Sequence, residues 1–250
     1  MPDRNKLEKT AAVLAALAVW QIAAMLIGNS LLLVTPLVVV RNLCELSVSG
    51  YFWSAVGYSF VRIVSGFLLA LFAGIVFAVV AGRFRIAEVM LQPYMAAVKS
   101  TPVASFIILC LIWLSSKNLS VFIAFLMVLP IVYTNVLQGI KSTDRKLLEM
   151  AEVFEVGWWR RLNYIYIPQL KPYLISACSI SIGFSWKAGI AAEVIGIPAG
   201  SIGEKLYEAK VYLSSGDLFA WTVVIVAISI LFEKLFVCTL KSFFARKEKH

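Results

Sequence analysis

Long apolar runs alternate with short polar intervals along this chain. A helix needs about 20 apolar residues to cross a membrane, so the runs that approach this length predict the spans. We predict six, and the third helix draws part of its length from residues upstream of Pro102. The predicted spans are residues 11–34, 56–81, 102–114, 119–140, 172–195 and 218–240.

Composition indicates the class of protein. The 250 residues are 61% hydrophobic and 15% charged, whereas soluble domains average about 45–50% apolar and about 25% charged residues. A soluble fold of this size could not bury so much apolar surface. The sequence therefore predicts an all-α integral membrane protein with a single transmembrane domain over residues 1–250, a core at 54–240 and a cytoplasmic loop at 141–171.

The net charge of +9 comes from short basic clusters between the apolar runs, not from one basic patch. Positively charged loops stay in the cytoplasm, and six spans with both termini inside place most lysines and arginines there. We therefore expect a multi-pass membrane protein, in contact with lipid and with both termini cytoplasmic. This distribution argues against binding to nucleic acid.

No motif in the sequence supplies catalytic chemistry. The phosphate-binding pattern GxxxxGK[ST] does not occur, and the single histidine is the last residue, His250. A histidine-based metal site or catalytic triad is therefore not expected, and the four cysteines lack metal-ligand spacing. We expect a transport protein that is not an enzyme, holds no metal or cofactor of its own and is powered from outside the chain.

Small residues recur every four positions in the second predicted span. Residues at this spacing share one face of a helix, where small side chains let a second helix approach closely. The alternative explanation is the general abundance of glycine and alanine in membrane helices. The predicted packing ridge consists of Gly66, Ala70, Gly74, Ala78 and Gly82.

The fifth predicted span carries the clearest ionisable residues within the membrane, Lys187 and Glu193. Charges inside a bilayer are costly and often functional. With the hydroxyls of Ser181 and Ser185 they form a predicted translocation path, in which Lys187 offers donors to a polar or anionic solute. The alternatives are that Lys187 snorkels to the outer interface, that the serines bond their own helix and that Glu193 holds the turn into the outer loop.

The polar interval after the fourth span carries a signature. Glu149-Met-Ala151, followed by Gly157 and by Ile165-Tyr-Ile167-Pro168, resembles the EAA signature of ABC-importer permeases. Further landmarks resemble the nitrate/sulfonate/taurine branch of that family. They lie at residues 59–67, 91–93, 101–102 and 186–196.

Two positions depart from the signature. Met150 replaces the alanine that usually follows the glutamate, and Glu155 stands where a glycine is expected, six residues after Glu149. Gly157 follows two places later. The departure predicts that the turn between two short helices is shifted towards Gly157, with consequences for docking geometry or partner choice.

The resemblance implies a type I ABC-importer permease with the MetI-like fold, in the plasma or inner membrane of a prokaryote. Two copies, as a homodimer or alternatively a heterodimer, would form the path for a nitrate-, sulfonate- or taurine-like anion or a vitamin-precursor-like molecule. A solute-binding protein outside the membrane would deliver the solute, and two separate ATPase subunits would bind ATP. A coupling helix near residues 149–159 would contact the ATPases through Glu149, Ala151, Phe154, Glu155, Gly157, Trp158, Trp159 and Arg160.

Alternatives exist for the loop and for the whole chain. Trp158 and Trp159 also fit an interfacial aromatic belt. A secondary transporter or a membrane scaffold would act without an ATPase. A secondary transporter usually has inverted repeats or matched broken helices, and a scaffold leaves the spacing of the signature unexplained.

Overall fold

The computed structural model describes residues 2–29 and 31–247, and every regular element in these ranges is helical. The predicted all-α fold is thus confirmed. The helices are α1 (Pro2–Ile27), α2 (Pro36–Ser47), α3 (Gly50–Arg83), α4 (Arg85–Ser100), α5 (Val103–Cys110), α6 (Ser116–Lys141), α7 (Arg145–Val153), α8 (Trp158–Arg161), α9 (Ile167–Gly196), α10 (Ile202–Val211) and α11 (Ser215–Lys247), with a π-helical turn at Leu162–Tyr166.

Five helical segments in the described ranges are long and apolar enough to cross a membrane. They are α1, α3, α6, α11 and the segment Trp158–Gly196, which contains α9. The bent pair of α4 and α5 becomes a sixth if it is counted as one span. The prediction of about six spans is therefore confirmed, with the third as a broken one.

The third span does include residues upstream of Pro102, as predicted, but it is broken there and is not one continuous helix. The chain bends by 102° between α4 and α5, and Thr101 and Pro102 are both extended, with ψ of 128° and 122°. A proline ring clashes with a preceding residue in the helical conformation, which explains a break at this dipeptide. α5 also ends at Cys110 and not at Leu114.

The predicted boundaries at the start of the chain were also wrong. α1 ends at Ile27 although apolar residues continue to Val34. Gly28 follows with a φ of 61°, a left-handed conformation that glycine adopts without a Cβ clash. The next interval forms α2, which packs against α11, and α3 begins at Gly50, upstream of the predicted start at Val56.

The centre of the fold is the contact between α3 and α6. A Cβ atom on Gly66 would lie 2.4 Å from the carbonyl oxygen of Val121, and one on Gly74 or Gly82 would come within 3.0 Å of a side chain of α6. Without these glycines the two backbones could not lie so close. The ridge alanines, Ala70 and Ala78, are fully buried.

The helices α9 and α11 pack around this pair. A Cβ atom on Gly139 of α6 would lie 2.8 Å from Cδ2 of Leu170 in α9. Between α3 and α11, the rings of Phe67 and Phe236 meet edge to face with centroids 5.2 Å apart, an arrangement that aromatic quadrupoles favour. The core thus holds α3, α6, α9 and α11 as one packed unit.

We predict that Gly66→Ala destabilises the protein in detergent, because the new methyl group collides with the backbone of α6. Overpacking of this kind typically costs about 1–3 kcal/mol. Gly57→Ala is a matched control on α3, since its Cβ would meet nothing within 4 Å. Thermal unfolding of the purified variants measures both, and equal melting temperatures would contradict the packing role of Gly66.

Candidate functional site

The predicted coupling segment consists of two short helices, α7 and α8, so the predicted coupling helix near residues 149–159 is interrupted by the turn between them. The N-cap residue of α7 is Asp144, whose side chain accepts a hydrogen bond from the amide of Lys146 at 2.9 Å. Aspartate at this position satisfies amides that the first turn leaves free. The amide of Asp144 in turn donates to Oε1 of Gln169 at 3.0 Å. The start of α7 is thereby tied to the first turn of the membrane helix α9.

The turn after α7 is a Schellman motif. The amide of Val156 donates to the carbonyl oxygen of Ala151 at 2.9 Å. The amide of Glu155 donates to the carbonyl oxygen of Glu152 at 3.0 Å. This motif requires a left-handed residue, usually glycine, and here it is Glu155, with a φ of 49°. The predicted shift of the turn is wrong, because Gly157 has a φ of −60° and precedes α8 as its N-cap residue.

Arg161 closes the same turn from the other side. Its Nε donates to the carbonyl oxygen of Val156 at 2.7 Å, and its Nη2 donates to that of Ala151 at 3.0 Å. A cation at a helix C-terminus satisfies carbonyl groups that the helix leaves free. Arg161 therefore has an internal role, whereas Arg160 is exposed. The sequence alone does not distinguish two adjacent arginines.

Large apolar side chains of this loop point outward. The exposed fraction is 79% for Val153, 73% for Phe154 and 74% for Trp159, and Met150 and Trp158 are also mostly exposed. Exposed apolar groups in such numbers are typical of interaction surfaces. Of the remaining predicted contacts, Glu149 is exposed and Ala151 is buried. We call the five exposed apolar residues the α7–α8 surface.

A cavity of about 550 Å³ lies where the break between α4 and α5 faces α6 and α9. Lys187, one of the predicted path residues, lines this cavity, and its Nζ lies 5.8 Å from the centroid of the Phe184 ring. Lys99 lines the same cavity. The sequence does not single out Lys99 as a site residue, because Pro102 predicts a helix break but not the direction of the bend that brings Lys99 here.

The other predicted path residues are buried in the packing. Ser181 and Ser185 are fully buried, and the hydroxyl of Ser185 donates to the carbonyl oxygen of Ile182, in its own helix, at 2.8 Å. Glu193 is fully buried as well. The structure therefore brings Lys187 to the cavity and places these three side chains in the core.

Glu193 joins three helices at the opposite end of α9 from the coupling segment. The hydroxyl of Ser59 in α3 donates to Oε2 of Glu193 at 2.6 Å and accepts from the amide of Ile202 at 2.9 Å. The amide of Gly203 donates to the same carboxyl oxygen at 3.3 Å. A carboxyl group suits the N-terminus of α10, where amides lack helical partners. This geometry favours the structural role of Glu193, which is to hold the turn into the outer loop.

We expect Ser59→Ala to destabilise the protein, because it leaves the amide of Ile202 and one oxygen of Glu193 without their shared partner. A buried polar group left unsatisfied costs about 1–3 kcal/mol. Ser65→Ala is the control, since the Ser65 hydroxyl bonds only to Arg62 of its own helix. Thermal unfolding in detergent should separate the two, and an equal effect would rule out the three-helix junction.

Glu155→Gly should stabilise the turn after α7 by about 1 kcal/mol, because glycine adopts positive φ without steric cost. Glu155→Ala keeps the strain and controls for the loss of the side chain. Gly157→Ala should be neutral, since its φ is ordinary and its Cβ would meet nothing within 4 Å. Amide hydrogen exchange at residues 154–157 measures these effects, and equal exchange in Glu155→Gly and Glu155→Ala would contradict them.

Comparison with known proteins identifies the family. The protein-family model described as "Binding-protein-dependent transport system inner membrane component" matches residues 66–248. Among the relatives is a putative aliphatic sulfonates transport permease protein, SsuC, of Bacillus subtilis (strain 168). It is 27% identical over 211 residues, which cover 83% of this chain and 76% of that protein.

Two further relatives are similar over comparable lengths. The bicarbonate transport system permease protein CmpB of Synechococcus elongatus (strain ATCC 33912 / PCC 7942 / FACHB-805) is 25% identical, with 79% of this chain and 70% of CmpB covered. The taurine transport system permease protein TauC of Escherichia coli (strain K12) is 23% identical, with 86% and 80% covered.

A solved structure has the same fold. The crystal structure of an amino acid ABC transporter with histidines aligns with a TM-score of 0.53 at 19% identity, over 83% of this chain and 96% of that one. Family and apolar helices together indicate a multi-pass inner-membrane protein. The predicted resemblance is confirmed: the chain belongs to the family of binding-protein-dependent transport system inner membrane components, in the nitrate/sulfonate/taurine branch of ABC permeases.

Proposed function

We propose that this protein is the membrane-spanning permease subunit of an ATP-binding-cassette importer and forms the path of a small anion. A solute-binding protein delivers the anion, two separate ATPase subunits bind ATP, and a second permease copy completes the path. The second copy is an identical chain, with a related permease as the alternative. The α7–α8 surface carries this proposal, because an exposed apolar surface between two membrane helices needs a partner.

The α7–α8 surface is built to transmit motion. Apolar side chains on a short helix suit a hydrophobic groove on a partner, and here the groove belongs to the ATPase. α7 follows α6 after a three-residue link and is bonded to α9 through Asp144 and Gln169. Closure of the ATPases would therefore move both membrane helices as a rigid unit. This role fits the exposed tryptophans better than an interfacial belt, because Phe154 and Val153 are exposed beside them.

The cavity supports an anion as the solute. Lys187 brings a positive charge to it, and the relatives are named as transport permeases for sulfonates, bicarbonate and taurine. In the proposed orientation both termini and the α7–α8 surface lie in the cytoplasm. The junction at Glu193 and the helix α10 then lie on the outer side, where the binding protein docks.

Trp159→Ser should reduce recovery of the ATPase with the purified permease by about tenfold, as expected when a central aromatic anchor is lost. Trp113→Ser is a matched control, because Trp113 is 79% exposed and lies beyond α5, on the proposed outer side. Co-purification in mild detergent measures the binding. Equal recovery with both variants would overturn the docking surface, and no ATPase with the unaltered protein would overturn the proposed function.

A further inference from the structure

Two cations face one cavity without a carboxylate to balance them. Nζ of Lys99, at the end of α4, donates to Oγ1 of Thr134 at 3.3 Å, and Lys187 lies beside the ring of Phe184. Neither lysine forms a salt bridge within the described part of the chain, and no acidic side chain is among the residues that line the cavity. Uncompensated charge within a membrane is costly, so a bound anion would stabilise both groups.

The two lysines lie at different depths. Thr134, the partner of Lys99, is seven residues from the end of α6 at Lys141, which is about 10 Å along a helix. Lys187 is nine residues from the opposite end of α9, at Gly196, which is about 14 Å. Lys99 thus lies nearer the proposed cytoplasmic side and Lys187 nearer the outer side, with the cavity between them.

The walls between the lysines are mostly apolar. A cavity of about 550 Å³ is within the usual range for a small organic ligand, about 300–1,000 Å³. A small inorganic anion would lose its hydration here and gain few polar partners, whereas an apolar tail would gain contacts with the walls. The apolar wall includes Val103, Met127, Pro130, Ile131, Ile180 and Phe184.

Lys99 also lines a second cavity, of about 360 Å³, on the side of α6 that leads towards Lys141. This cavity is more polar, with Gln92, Gln138 and Thr134 in its lining, and the acid that lines it, Glu88, forms an ion pair with Lys141 in the same lining. An acidic group that reaches Lys99 would therefore meet hydrogen-bonding side chains on its way to the cytoplasm. Lys99 is the residue that the two cavities share.

We infer that the larger cavity takes an organic anion with an apolar tail, of the alkanesulfonate or alkanecarboxylate class, and that Lys187 and Lys99 bind its acidic group in succession. The tail lies along the apolar wall while the acidic group moves from one ammonium group to the other. This inference rests on the proposed function and adds a substrate class and a second binding residue to it.

The test measures binding and uptake with the assembled permease–ATPase complex. Equilibrium dialysis without the binding protein compares radiolabelled 1-butanesulfonate, butanoate and inorganic sulfate, so that the selectivity of the binding protein plays no part. We expect one of the organic anions to bind about tenfold more tightly than sulfate, because its methylene groups are buried. Lys99→Gln and Lys187→Gln should each weaken that binding about tenfold, since each removes a charge-assisted hydrogen bond.

Controls separate this inference from the proposed function. Lys99→Arg and Lys187→Arg keep the charge and should retain binding, and Lys117→Gln, an exposed lysine at the start of α6, should match the unaltered protein. Sulfate binding as tight as that of both organic anions, or unchanged binding in both glutamine variants, would overturn the inference. If ATP-driven uptake of a solute delivered by the binding protein then persists in proteoliposomes, the proposed function stands. Its absence from the unaltered complex would overturn both.

Discussion

The fold depends on the close approach of α3 to α6. A lipid bilayer provides little hydrophobic drive between helices, so contact between them must come from close packing and internal polar bonds. At Gly66 the approach is so close that a single methyl group would collide with the carbonyl of Val121. α9 packs on this pair at Gly139 and carries Lys187 to the cavity. The candidate path is thus positioned by glycines that do not line the cavity.

Local hydrogen bonds hold the candidate coupling segment in place. Its left-handed residue, Glu155, is held by the hydrogen bonds of the Schellman turn, and Arg161 donates to the carbonyl groups of Ala151 in α7 and Val156 in the turn. Strained backbone persists only where the surrounding structure fixes it. Because the start of α7 is bonded to α9 through Gln169, a force on the exposed Trp159 would reach a membrane helix instead of bending the loop.

Hydropathy predicted the fold class and the number of spans, and the resemblance of residues 149–168 to a known signature indicated the family, because each rests on a long pattern. They did not predict the backbone conformation or the contacts of individual residues. The end of α1 depends on the left-handed Gly28, and the position of Lys99 depends on the bend at Pro102. The role of Glu193 depends on Ser59, which lies 134 positions away in the sequence. The signature expects a glycine at position 155. The backbone there has the left-handed conformation that glycine favours, although the residue is glutamate.

Two buried or half-buried acids of the spans and the two lysines of the cavity differ in their partners. The carboxyl group of Glu193 accepts a hydrogen bond from Ser59, and that of Glu233 in α11 accepts one from Ser179 in α9. Both acids therefore join helices. Among the described residues, the cavity lysines contact a hydroxyl group and an aromatic ring and form no salt bridge, which leaves two positive charges facing the same space. Because a low-dielectric wall strengthens their field, this asymmetry favours an anion over a neutral or cationic solute before any contact specific to that solute is made.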